Sequence, residues 1–105
     1  MSTPQPTPVF VAEARAPDAL ALRGVLGFAT AGQALPALQA ALSAAPQPRT
    51  LDLSGLAHVD SAGLACLLVV LGEAAAAGRE LRLAHAPDDM RTLARVCGVD
   101  RLLAA

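Results

Sequence analysis

A chain of 105 residues has room for one hydrophobic core, so one domain and one function are to be sought. Apolar residues make up 54% and aromatics only 2%, which leaves the interior to Leu, Val and Ala, and a mean hydropathy of +0.48 is the kind of apolar surplus that marks a contact surface. Eight arginines, no lysine and nine acidic residues spread along the chain give a net charge of −1, so no basic stripe exists to track a phosphate backbone and nucleic acid is excluded as a partner.

Met1 to Pro8 reads MSTPQPTP. It has neither the basic start nor the apolar stretch of a secretory signal, and its composition predicts a disordered Pro-rich tail before a domain spanning residues 9–105. The expected location is the cytoplasm. Val9 to Arg15 and Ala19 to Val25 are apolar-rich segments separated by the turn residues Ala16-Pro17-Asp18, which predicts a β-hairpin. Leu35, Leu38 and Leu42 recur at helical spacing, and Pro36 fits a first turn, where its missing N–H costs nothing. A first helix is therefore expected from about Leu35, ended by Pro46 and Pro48. Arg49 to Ser54 alternates at period two, predicting a third strand followed by a loop from Gly55 to Val59.

Leu64, Leu67, Leu68, Leu71 and Ala75 then define a second helix, with Asp60 as its N-cap and Gly78 as its stop. Its uncharged stretch from Ala62 to Gly72 is well short of the ~17 to 25 residues needed to span a bilayer, so direct membrane insertion is not expected. Glu80 to Ala84 alternates again, and a right-handed strand–helix–strand crossover makes the third and fourth strands parallel. Pro87, Asp88 and Asp89 open a third helix with Met90, Leu93, Ala94 and Cys97 inside, stopped by Gly98 with Val99 closing over it. The fold class is α/β, a mixed sheet of about four strands with three or more helices packed on it. Cys66 and Cys97 each lie in an apolar helical pattern and read as buried free thiols; no metal set is expected.

The second helix carries the functional signal. On a wheel centred on Leu64, Leu68, Leu71 and Ala75, the far side holds Ala62, Cys66, Val69, Val70, Glu73, Ala76 and Ala77, and only Glu73 is charged. A helix lying on one sheet should show water a polar side, so this one is covered a second time within its domain, is covered by another protein, or tolerates exposed methyls. The chain is short for a third layer, which favours a partner.

The segment Leu51-Asp52-Leu53-Ser54, the motif Val59-Asp60-Ser61-Ala62-Gly63-Leu64 and the element order together resemble the STAS family of sulfate transporters and anti-sigma factor antagonists, over Leu20 to Leu103. Within it, Leu35-Pro36, the loop after the second helix and Thr92-Leu93-Ala94-Arg95 look most like the MlaB-type subunit. That resemblance implies a cytoplasmic, non-catalytic accessory protein without a cofactor, held at the inner membrane by the ATPase subunit of a phospholipid ABC transporter that maintains outer-membrane lipid asymmetry. The alternative it implies is an anti-sigma factor antagonist, whose partner is an anti-sigma factor or serine kinase. In such antagonists the phosphorylated residue directly precedes the motif glycine. Here that position is Ala62, which has no hydroxyl, whereas Ser61 matches the hydroxyl residue of MlaB-type proteins at the ATPase contact.

The expected partner-binding set is Asp60, Ser61 and Ala62 in the loop and first turn, with Ala65, Val69 and Glu73 along the helix, while Leu64, Leu67, Leu68 and Leu71 hold the core. Asp60 reads equally as a capping residue, whereas for Ser61 the contact reading is preferred to capping. Catalytic readings fare worse. Ser61-Ala62-Gly63 has half of a nucleophile elbow, but Val59 stands where its first glycine belongs, and His58 and His85 come with no metal-ligand spacing. No glycine-rich phosphate cradle ends in Gly-Lys-Ser/Thr, so ATP chemistry would belong to the partner.

Overall fold

The computed structural model describes residues 9–15, 18–44 and 48–103. The predicted N-terminal tail and the centre of the first turn, Ala16-Pro17, lie outside them, as does Pro46. Strands β1 (Phe10–Arg15), β2 (Ala19–Leu26), β3 (Thr50–Val59) and β4 (Arg82–Ala84) form a sheet of order β1-β2-β3-β4. β1 and β2 are the expected antiparallel hairpin, with Arg15 opposite Ala19, and β2–β3 and β3–β4 are parallel. Helices α1 (Ala31–Ala44) and α2 (Ser61–Ala76) make the two crossovers, and α3 (Asp88–Val96) follows β4. Right-handed crossovers between adjacent parallel strands put α1 and α2 on the same face.

That face is the core. Leu20, Leu22, Leu51, Leu53 and Leu83 from the sheet cluster with Leu38 and Leu42 of α1, Leu64, Leu67 and Val70 of α2, and Met90 of α3. The opposite register of the sheet presents Arg15, Arg23, Asp52, Ser54 and Arg82, with Arg23 paired to Glu13 at 2.7 Å. The two-residue period of a strand thus separates an apolar layer from a polar one.

Several boundaries differ from the sequence expectation. α1 begins at Ala31, four residues before Leu35. The cause is Thr30, 1% exposed, whose hydroxyl accepts from Gly27 N–H (3.1 Å) and donates to the Val25 carbonyl (2.8 Å), fixing a tight turn from which the helix starts directly. Pro36 consequently lies in the second turn, on the exposed face, where water can meet the carbonyl its missing N–H leaves open. The predicted Gly55–Val59 loop is strand: β3 stays paired with β2 out to Leu26 opposite Val59. Register shifts in that ladder reset the alternation, so the buried residues Leu53, Leu56 and Val59 fall three apart and hide the strand period. β4 pairs only over Arg82–Ala84, shorter than the predicted Glu80–Ala84. Cys66 is buried as expected, and burial pushes its thiol pKa up, but Cys97 is exposed because it caps the end of α3.

Both later helices stop as expected. Gly78 (φ 72°) lets Arg79 N–H reach the Ala74 carbonyl at 2.8 Å, and Gly98 (φ 74°) lets Val99 N–H reach Ala94 at 2.8 Å, with Val99 packed on the core. A short 3-10 turn, Asp100–Leu102, then brings Leu103 beside Leu83.

Two helical glycines in α2 test the packing by contrast. A β-carbon at Gly63 would overlap the Leu26 carbonyl, whereas one at Gly72 would meet nothing within 4 Å. Gly63→Ala should lower stability by about 1 to 3 kcal/mol through overpacking, and Gly72→Ala should raise it by about 0.5 to 1 kcal/mol. Urea unfolding of the two variants checks this; equal effects would refute the assigned face of α2.

Candidate functional site

The turn between β3 and α2 is organised by one carboxylate. Asp60 leaves β3 with extended backbone, and its Oδ1 accepts from Ala62 N–H (2.9 Å) and Gly63 N–H (3.1 Å), satisfying the open donors of the first helical turn. Its Oδ2 accepts from Phe28 N–H at 2.9 Å, in the loop that joins β2 to α1. Gly27 is required beside it, since a β-carbon there would stand 2.5 Å from Oδ2. The Asp60 carboxyl is held below the ordinary carboxylate range, chiefly by the Phe28 N–H and further by Gly63, Ala62 and the charge of His58, against a smaller push upward from burial.

The predicted set is distributed as follows. Ser61 and Ala65 are exposed, Val69 is 44% exposed, and Ala62 is half-buried with its N–H taken by Asp60. Asp60 is half-buried and spent on internal bonds, so it fits its capping reading. Glu73 is exposed but turned toward α1, where both of its oxygens accept from Gln39 Nε2 at 3.0 and 3.1 Å. Ser61, Ala65 and Val69 therefore share an open stripe, and Glu73 borders it.

The predicted wheel is rotated relative to the observed helix. Cys66 and Val70, expected on the far side, are buried, whereas Leu68 and Leu71 are only half-buried and Ala75 is exposed. The innermost line is Gly63, Leu67, Val70 and Ala74. Gly63 sets this azimuth: it must lie against β2, and a count of large apolar residues gives a glycine no weight. The exposed stripe along Ser61, Ala65, Val69 and Gly72, with half-buried Leu68 among them, nevertheless contains no charge.

Phe28 was not legible as a site residue. It is 85% exposed, the most open of the large hydrophobic side chains among the described residues, and its backbone is bonded directly to the residue before Ser61. The available signal was an aromatic residue inside Gly27-Phe28-Ala29-Thr30, in a chain with only one other, Phe10.

Residues 9–104 match the protein family described as Mlab, STAS domain. The chain belongs to the MlaB-like STAS family. Among curated proteins no sequence match is found. Of solved structures, the anti-sigma factor antagonist SpoIIAA in its unphosphorylated form is similar at a TM-score of 0.70 and 18% identity, over 91% of this chain and 86% of that one. An anti-sigma factor antagonist from Mycobacterium paratuberculosis gives 0.67 and 17%, over 91% and 82%. A sulfate transporter family protein from Wolinella succinogenes gives 0.62 and 18%, over 83% and 70%. At these identities the likeness establishes the shared STAS fold. In this STAS domain the position before the motif glycine is Ala62, and the hydroxyl next to it, on Ser61, points from an exposed first-turn residue.

Because the folded pKa of Asp60 is lowered, its stabilisation is present in full above the unfolded value of about 3.9 and is lost as the pH falls through the lower folded value. Asp60→Asn retains an amide oxygen for the helix cap but turns an NH2 toward Phe28 N–H. It should cost about 1 kcal/mol at pH 7 and shrink the loss of stability between pH 5 and pH 2. Urea midpoints across that range check it; an unchanged acid slope in the variant would contradict the assignment.

Proposed function

We propose that this STAS domain is a non-catalytic accessory subunit that docks from the cytoplasmic side onto the ATPase of an Mla-type phospholipid ABC transporter, and so serves the maintenance of outer-membrane lipid asymmetry. The observation that carries this reading is the family match along residues 9–104. The uncharged stripe of α2 supports it, because a surface helix without an interface would be expected to turn polar residues to water. Among the described residues no helix is long and apolar enough to cross a membrane, so attachment to the inner membrane is assigned to the partner.

The antagonist reading, with an anti-sigma factor or serine kinase as partner, has the fold in its favour, since SpoIIAA has also been solved in a phosphorylated form. It is ranked second because Ala62 offers no oxygen to a kinase. Ser61 is the only hydroxyl in the motif. Its backbone precedes amides already held by the Asp60 carboxylate, and a phosphate there would meet that negative charge at close range.

Affinity purification of the tagged protein from its native host should recover an ABC ATPase and its permease; recovery of a serine kinase without an ATPase would overturn the ranking. Ala65→Arg, on the exposed stripe, should leave stability within about 0.5 kcal/mol and weaken the complex at least ~30-fold by burying an unpaired charge. Thermal melts beside titration of the recovered partner decide it. Unfolding of the variant, or unchanged binding, would remove α2 from the interface.

A further inference from the structure

We propose that Phe28 is the anchor of the docking surface and that its complement is an uncharged apolar pocket on a protein partner. The inference rests on the docking role proposed above and names the contact that carries it. Phe28 is 85% exposed, while the other aromatic, Phe10, packs against the core. The loop that carries it is fixed on both sides. Asp60 Oδ2 accepts the Phe28 N–H at 2.9 Å, and buried Thr30 accepts from Gly27 N–H at 3.1 Å while donating to the Val25 carbonyl at 2.8 Å. A large apolar side chain held outward by a rigid loop gives up little conformational freedom on binding, which is the property of an aromatic anchor residue.

The charges select the partner. Gly27 to Thr30 carry none, and neither do Ser61, Ala65 and Val69 on the adjoining stripe. The nearest carboxylate, Asp60, already accepts three backbone N–H groups. No arginine or lysine occurs in the Gly27–Thr30 loop or anywhere in α2, and the one basic group at this edge, His58, acts on the Asp60 carboxylate, so an anionic lipid surface finds little attraction here. An apolar protein pocket does. Ala65 and Val69 would ring the aromatic contact and exclude water from it.

The test places p-benzoylphenylalanine at position 28, 65 or 96 in the native host and irradiates the cells. Val96, 80% exposed on α3, is the control. Positions 28 and 65 should cross-link to the same protein and position 96 should not. Purified Phe28→Ala should bind that protein at least ~30-fold more weakly with an unchanged melting temperature, and Phe28→Leu should recover part of the loss. Cross-linking from 65 but not 28, or a Phe28→Ala loss below about twofold, overturns the anchor and leaves the docking role standing. A common partner that is not an ABC ATPase, with the Phe28→Ala loss intact, supports the anchor and refutes the transporter reading. Phe28-dependent sedimentation with phosphatidylethanolamine–phosphatidylglycerol vesicles overturns the protein pocket in favour of lipid.

Discussion

The first turn of α2 lies so close to the end of β2 that position 63 has no space for a side chain: its β-carbon would occupy the Leu26 carbonyl. A helix drawn this near to a strand needs its open amides satisfied locally, because water cannot reach all of them. Asp60 meets that need with one oxygen and uses the other to hold Phe28 N–H across the gap. Gly63 and Asp60 thus act together, one allowing the approach and the other binding the two loops that the approach brings side by side. Gly27 completes the contact from the β2 side, where a larger residue would displace the carboxylate.

The consequence is a surface rather than a cleft. Loops at the β2 end and the β3 end of parallel neighbouring strands emerge on the same edge of the sheet, where ligands of open α/β sheets are commonly met. Here the edge carries an outward aromatic, a small hydroxyl residue and the open stripe of α2. The polar sheet face, with Arg23 paired to Glu13 and Asp52 accepting from Ser54 N–H, is the side turned to water. Of the large apolar side chains left exposed, Phe28 and Val69 lie at this edge and on the α2 stripe, while Val9 and Val11 lie at β1 and Val96 and Leu102 at the end of α3 and beyond it.

Where local chemistry decided the structure, the sequence was sufficient to read it. Asp60 before an apolar periodic run, Gly78 and Gly98 at helix ends, and the parallel crossover around α2 each follow from one or two residues with strong backbone preferences. Where tertiary contact decided it, reading failed. α1 starts early because Thr30 is buried and bonded, which its type does not reveal. β3 runs on through Gly55 because β2 continues to pair with it, against the weak strand preference of glycine. The azimuth of α2 depends on Gly63 being innermost, so a wheel weighted by leucines turned Cys66 and Val70 outward and Leu68 inward. Ser61, Ala65 and Val69 kept their exposed positions despite that error. Phe28 escaped notice because outward orientation is fixed by a hydrogen bond to a residue 32 positions away.

The loop after β2 and the start of α2 are proposed to form one docking surface. Hydrogen exchange of the STAS domain, alone and bound to the partner recovered from its native host, maps protection without altering any residue. Exchange should slow on binding in peptides covering Gly27–Thr30 and Ser61–Gly72, with α3 and the β1 edge unchanged. Protection confined to α3 or to the polar sheet face would contradict it.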